Sequence, residues 1–167
     1  MAKEYTTFKE MYDFFLSGIT DDMFMELTKE DTEEILQEIL LAALPHFEFP
    51  KKDIFDLDYE DERFTCKLSL EEMRIIRDYM IAEWIGYQLA SIDNIRQKYS
   101  GSDFSFTSQA NHISRLINLK QHYMDDGFRL QRLYSRRRRQ EDGSYTSTWD
   151  EVMGDANDVL LRRRLRH

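Results

Sequence analysis

The chain has one cysteine, two prolines and six glycines among its 167 residues. A lone Cys66 excludes an intrachain disulfide framework and any multi-cysteine zinc module, and it suits a reducing compartment. So few turn-formers argue against a sheet protein with many tight hairpins. Long hydrophobic runs are missing too. Ile39 to Phe47 and Trp84 to Ile92 are the longest uncharged apolar stretches, nine residues each, against the roughly 20 that a helical membrane span needs. Early acids (Glu4, Glu10, Asp13) and the lack of an apolar run ending in small residues predict no secretory signal. What is present is a chain 41% hydrophobic and 33% charged whose apolar residues recur at helical spacing. It is long enough for one conventional core. The expected class is therefore mostly α.

Charge is divided unevenly. Residues 1–128 carry 13 Lys and Arg against 26 acids, whereas residues 129–167 carry 10 Arg, no Lys and 6 acids, within a total of −9. An acidic body repels phosphate and leaves attraction to nucleic acid to the end of the chain.

Three helix starts are legible from caps. Thr7-Phe8-Lys9-Glu10 has the capping-box pattern ahead of Met11, Phe14 and Phe15, with residues 1–6 as a loose arm and an end near Gly18. Thr28 caps a stripe made by Ile35, Leu36, Ile39, Leu40, Ala43 and Leu44, which Pro45 ends or kinks. Between them, Ile19 to Leu27 has no clean period and receives no element. His46 to Leu68 reads as an irregular acidic loop, with a short strand or hairpin arm over Phe64, Cys66 and Leu68. Ser69-Leu70-Glu71-Glu72 opens the longest helix, to about Tyr99, whose middle lacks a polar face. Such a helix is buried on more than one side, so Trp84, Ile85 and Tyr87 are candidate inter-subunit residues. A last helix to about Tyr134 has an apparent seam through His112, Leu116, Leu119, Tyr123, Asp126, Leu130 and Leu133, with a second row through Ile113, Ile117, Met124 and Phe128. Gly127 interrupts it at about 1 kcal/mol relative to Ala.

Catalysis finds little footing. His46, His112, His122 and His167 are scattered without metal-ligand spacing, the run from Asp56 to Glu62 lacks the calcium-loop pattern, and no nucleophile elbow or phosphate-binding glycine loop occurs. No enzyme, cofactor or metal is expected. Glu83, amid Ile81, Ala82, Trp84 and Ile85, is a candidate buried acid that an Arg of an adjacent subunit would satisfy as well as any catalytic role. Arg136, Arg137, Arg138 and Arg139 with Tyr145 and Trp149 suit protein docking, or alternatively a nucleic-acid-binding arm of a soluble regulator.

The order of these elements, and the wording Lys98-Tyr99-Ser100-Gly101-Ser102-Asp103-Phe104-Ser105-Phe106-Thr107-Ser108-Gln109-Ala110-Asn111-His112 followed by Leu130-Gln131-Arg132-Leu133-Tyr134-Ser135-Arg136-Arg137, resemble the head-tail connector (adaptor) proteins of tailed bacteriophages. The resemblance covers about residues 28–139. It implies a small helical bundle with an extended C-terminal tail, in three parts: an N-terminal arm and short helix (1–27), a connector domain (28–135) and an Arg-rich docking tail (136–167). It further implies a ring of commonly twelve copies in the virion neck, assembled in the host cytoplasm. The ring sits between the portal protein and a stopper or tail-completion protein, and double-stranded DNA passes through without sequence readout. Arg136 to Arg139 with Arg162, Arg163 and Arg164 would then dock the portal.

Overall fold

The computed structural model describes residues 4–19, 28–98, 106–139 and 144–147. The fold is mostly helical, as expected. Its elements in chain order are β1 (Thr6–Thr7), α1 (Phe8–Leu16), α2 (Lys29–Ala43), a 3-10 turn (Leu44–His46), β2 (Leu57–Asp58), β3 (Arg63–Phe64), α3 (Leu70–Lys98), α4 (Phe106–Arg136), β4 (Arg137–Arg139) and β5 (Tyr145–Ser147). The stretch Ile19 to Leu27 falls outside the described residues from Thr20 onward.

The helix starts are where local chemistry puts them. Thr7 accepts from the Glu10 amide while the Glu10 carboxylate accepts from the Thr7 amide at 2.8 Å, a closed capping box. Thr28 accepts from the Asp31 amide. At the head of α3 the Ser69 amide donates to Glu72 at 2.7 Å and the Glu72 amide returns to Ser69 Oγ at 3.3 Å. Pro45 lies inside the 3-10 turn, so α2 stops at Ala43 without an orphaned interior amide.

The loose N-terminal arm needs correction. Thr6 is buried and pairs with Phe64, and β1-β3-β2 form a three-stranded antiparallel sheet. Thr6 Oγ1 also accepts from the Leu68 amide at 2.9 Å. The expected strand thus ends at Phe64, and Cys66 and Leu68 lie beyond it. Phe8, Met11, Tyr12 and Phe15 are core residues. Burial raises the Tyr12 hydroxyl, with Glu62 and Glu33 adding to the shift. Accordingly α1 belongs to the same compact unit as α2 and α3, which spans 1–131; residues 132–167 form the second unit.

The core is centred on the first half of α3. Ile75, Ile76, Tyr79, Met80, Ile81, Ala82, Trp84 and Ile85 are all buried. Helices α1 and α2 both pack on α3. Helix α4 runs antiparallel to it: a Cβ on Gly127 would fall 2.8 Å from the Tyr79 ring, and one on Gly86 would fall 2.7 Å from Lys120 Nζ. Stepping forward along α3 from 79 to 86 therefore means stepping back along α4 from 127 to 120. The expected α4 seam is displaced. Leu119 and Leu133 are exposed, as are Ile117 and Phe128 of the second row, whereas Gly127, Gln131 and Tyr134 are buried.

Candidate interaction surfaces

Tyr79 and Gln131 join α3 to α4 through a buried polar network. Gln131 Nε2 donates to Tyr79 Oη at 2.8 Å and to the His46 carbonyl at 3.3 Å, and Gln131 Oε1 accepts from the Glu48 amide at 2.9 Å. Burial pushes the Tyr79 hydroxyl up to about 12, with Glu48 adding to it. The His46 ring lies over Tyr79 with centroids 5.3 Å apart, and His46 Nε2 lies 2.9 Å from Glu83 Oε1. Glu83, the expected buried acid, is thus half-buried and held by its own chain's histidine. His112 and His122 are exposed, and His122 lies 3.6 Å from Asp126. The Glu83–His46 pair adjoins the Tyr79–Gln131 network that braces α3 against α4.

A second charged cluster lies on the other side of α3. Asp78 is fully buried, receives a hydrogen bond from Arg74 Nε to Oδ2 at 3.2 Å, and has Arg77 Nη2 3.6 Å from Oδ1. Arg74 Nε is also 3.1 Å from Oδ1 but is not aligned to donate to it. Desolvation outweighs the two arginines and holds the Asp78 carboxyl above the usual range. Arg77 in turn lies over the Phe14 ring, 4.9 Å from its centroid, which ties α1 to α3.

No group of three or more His, Cys, Asp or Glu fit to hold a metal occurs among the described residues. A groove of about 530 Å³ is lined in part by Glu10, Asp13, Lys67 and Leu70. Its carboxylates are already used, Glu10 in the α1 capping box and Asp13 in a 3.0 Å pair with Lys9.

The expected inter-subunit residues divide. Trp84 and Ile85 are 2% and 3% exposed in a single copy of the chain. The expectation that they supply free surface is corrected: the missing polar face of α3 is covered by the chain's own helices. Tyr87 is different, 45% exposed and stacked on Trp84 with centroids 5.8 Å apart. Beyond it no residue of α3 from Gly86 to Ile92 is buried, and none of α4 from Ala110 to Asp126 is. Those stretches, here called the distal halves, nevertheless carry Ile117 at 54% and Leu119 at 43% exposure. They also hold Arg115 and Lys120, neither of which the apolar pattern had singled out. A readable signal was there: residues 106–124 contain no acid.

In the second compact unit, Arg136 ends α4 and Arg137 to Arg139 form β4, antiparallel to Tyr145–Ser147. The described part of the tail is thus a two-stranded ribbon with Arg138 opposite Thr146 and Arg139 opposite Tyr145. Alternation along a strand puts Arg137 and Arg138 on opposite faces. Trp149, Arg162, Arg163 and Arg164 lie outside the described residues. No protein-family model, curated protein or solved structure matches the chain.

Proposed function

We propose that the chain is a non-enzymatic virion protein, a head-tail connector subunit that forms a ring between the portal and the stopper or tail-completion protein and extends the DNA channel. The observation that carries this reading is the number of large apolar side chains that the long helices leave in solvent, Tyr87 on α3 and Ile117, Leu119, Phe128 and Leu133 on α4. Apolar side chains grouped on a surface mark a place for another protein. The sequence resemblance over about residues 28–139 points to the same class. In this reading identical copies close a ring by heterologous contacts, commonly twelve of them. The acidic body keeps the passing phosphate backbone from sticking, and the arginines from 136 to 139 with those at 162 to 164 grip the portal bidentately.

The test is to look for a portal gene beside the gene of this chain, to purify the full chain alone and with that portal protein, and to measure mass by light scattering and particle shape by cryo-electron microscopy. Ring-shaped particles on the portal are expected. A chain that stays monomeric with the portal present would remove the reading.

One observation favours a second reading, a nucleic-acid-binding regulator: Arg137 to Arg139 lie on a two-stranded ribbon, a shape that enters a major groove. Replacing these arginines by Ala would then abolish DNA binding and flatten its salt dependence. Unchanged binding, or none to begin with, leaves the docking role.

A further inference from the structure

The row Leu116, Leu119, Tyr123 and Leu130, displaced from the α3 contact, gives α4 a second apolar face. At about 100° per residue these four fall within an arc of about 60° on the flank of the helix, next to Gly127, which meets Tyr79. Leu119 is 43% exposed and the other three are partly exposed. The edge of the row away from α3 is cationic: Arg115, His122 and Arg129 occupy the adjoining arc of about 40°, and all three are exposed. Asp126, which interrupts the row, lies 3.6 Å from His122 and 3.1 Å from Arg129. Residues 106–124 add no acid. A surface of this kind fits an amphipathic helix whose apolar stripe is bordered by acids on one side.

One stretch of this chain has that pattern. Residues 149–161 hold four acids and no Lys or Arg, and they lie outside the described residues. Thr148-Trp149-Asp150-Glu151 repeats the capping-box order that starts α1 at Thr7. Trp149, Val152, Met153, Ala156, Val159 and Leu160 then recur at helical spacing within an arc of about 120°. Glu151, Asp155 and Asp158 fill an arc of about 60° that borders it at Val159. A helix of 12 residues with Gly154 inside it is marginal alone in water, so the pattern calls for a surface to fold against. At 1.5 Å per residue it would span about 18 Å, against about 21 Å from Leu116 to Leu130. The direction is fixed as well. On both helices the charged arc is reached from the apolar one by the same sense of rotation about the N-to-C axis, so acids meet cations along one edge only if the two run antiparallel. The start of the segment suits this: Ser147 pairs with Arg137, so residue 148 leaves from the C-terminal end of α4. In a ring whose copies share one orientation, that is level with the same end of the neighbour's helix.

We propose that residues 149–160 of one copy form an acidic amphipathic helix that runs antiparallel along α4 of the next copy, with Trp149 toward Leu130, Val159 toward Leu116, and Asp155 and Asp158 along the cationic edge. This rests on the ring reading and names a contact that closes the ring. Segment and face are different surfaces present on every chain, so the contact is heterologous and propagates. Seating the segment on its own α4 would use up both surfaces within one chain and leave neither to close a ring. Opposed charges set the direction, and the apolar side chains supply most of the affinity.

Single-cysteine variants of the full chain in a Cys66→Ser background make the test, read on the chain alone and after assembly with the portal protein. Circular dichroism serves as the folding control. A chain carrying Leu119→Cys is mixed with one carrying Ala156→Cys and oxidised. The mixed disulfide dimer should be at least about tenfold more abundant than with Gln121→Cys, on the opposite side of α4, because seating raises the effective concentration of the two thiols. Leu130→Cys should link to Val152→Cys in preference to Leu160→Cys; the reverse preference means parallel seating and overturns the proposal. Adding Arg115→Glu and His122→Glu to the Leu119→Cys chain should weaken its link about tenfold, and Asp155→Arg with Asp158→Arg on the other chain should restore it. If particles form on the portal but the mixed dimer is no more abundant than the Gln121→Cys control, or charge reversal leaves it unchanged, the proposal falls and the ring reading stands with another interface. A chain carrying both Leu119→Cys and Ala156→Cys that links only within itself places the segment on its own α4, and the proposal falls likewise. A chain that associates neither alone nor with the portal overturns both.

Discussion

The two long helices are each two environments in succession. From Ile75 to Ile85, α3 is buried on nearly every side, even at Asp78; from Gly86 onward none of the residues to Ile92 is. Helix α4 mirrors this, with no buried residue from Ala110 to Asp126 and buried Gly127 and Gln131 beyond. The cause is a mismatch of length. At 1.5 Å per residue, the 29 and 31 residues of α3 and α4 span about 44 and 47 Å, whereas the 15 of α2 and the 9 of α1 span about 23 and 14 Å. The short helices cannot cover the full length of the long ones. An apolar residue in a distal half therefore has the same helical spacing as a core residue but no third helix to lie against.

The largest break in this contrast comes from truncation. Met80→Ala, in the covered half, is expected to cost about 2–5 kcal/mol, while Ile117→Ala in the distal half stays within about 0.5 kcal/mol of the parent chain; urea denaturation of the two variants measures the gap. Next comes the polar joint. Gln131→Leu strands the Tyr79 hydroxyl, the His46 carbonyl and the Glu48 amide, with an expected loss of about 2–3 kcal/mol. A neutral result would mean water replaces the glutamine. The two glycines sharpen the comparison at smaller scale. Gly127→Ala pushes a Cβ to 2.8 Å from a ring held on both sides, and overpacking of about 1–3 kcal/mol outweighs the gain in helix propensity of about 1 kcal/mol. Gly86→Ala meets only the far end of the flexible Lys120 chain, which swings aside, so thermal denaturation should show a gain of up to about 1 kcal/mol.

The smallest expected effect concerns pH. Burial raises the Asp78 carboxyl in the folded state, so over the window between its unfolded and folded values the folded chain keeps a proton that the unfolded chain has released. Stability from this group is present below the unfolded value and falls as pH rises through that window. Asp78→Asn removes the titration. The stability difference between variant and parent should therefore grow in the variant's favour with rising pH across the window, and a difference that stays flat would place the Asp78 carboxyl at its ordinary value.

Local signals were legible and nonlocal ones were not. Thr7 with Glu10, Thr28 and Ser69 with Glu72 mark helix starts because a cap is settled within one turn of chain. The α4 seam was misplaced because apolar spacing counts Leu119 and Leu133 as core and passes over Gly127 and Gln131. Glycine earns its place by letting Tyr79 approach, and Gln131 by satisfying three buried groups from elsewhere in the chain; neither property registers as hydrophobicity. Thr6 was missed for a related reason. A two-residue strand has no period, and its burial comes from pairing with Phe64, far along the chain. Trp84 and Ile85 were assigned to a neighbour because a sequence shows that a helix lacks a polar face but not which helices lie on it.

By itself the amino-acid order determined the helical class, the points where helices begin, and the separation of an acidic body from an arginine-rich end, since each depends on spacing or charge within a few residues. The tertiary structure alone decided which apolar side chains are covered and that Glu83 meets His46. Those outcomes depend on how far the shorter helices reach along the longer ones and on which distant residues meet, and neither is written in any local stretch of chain.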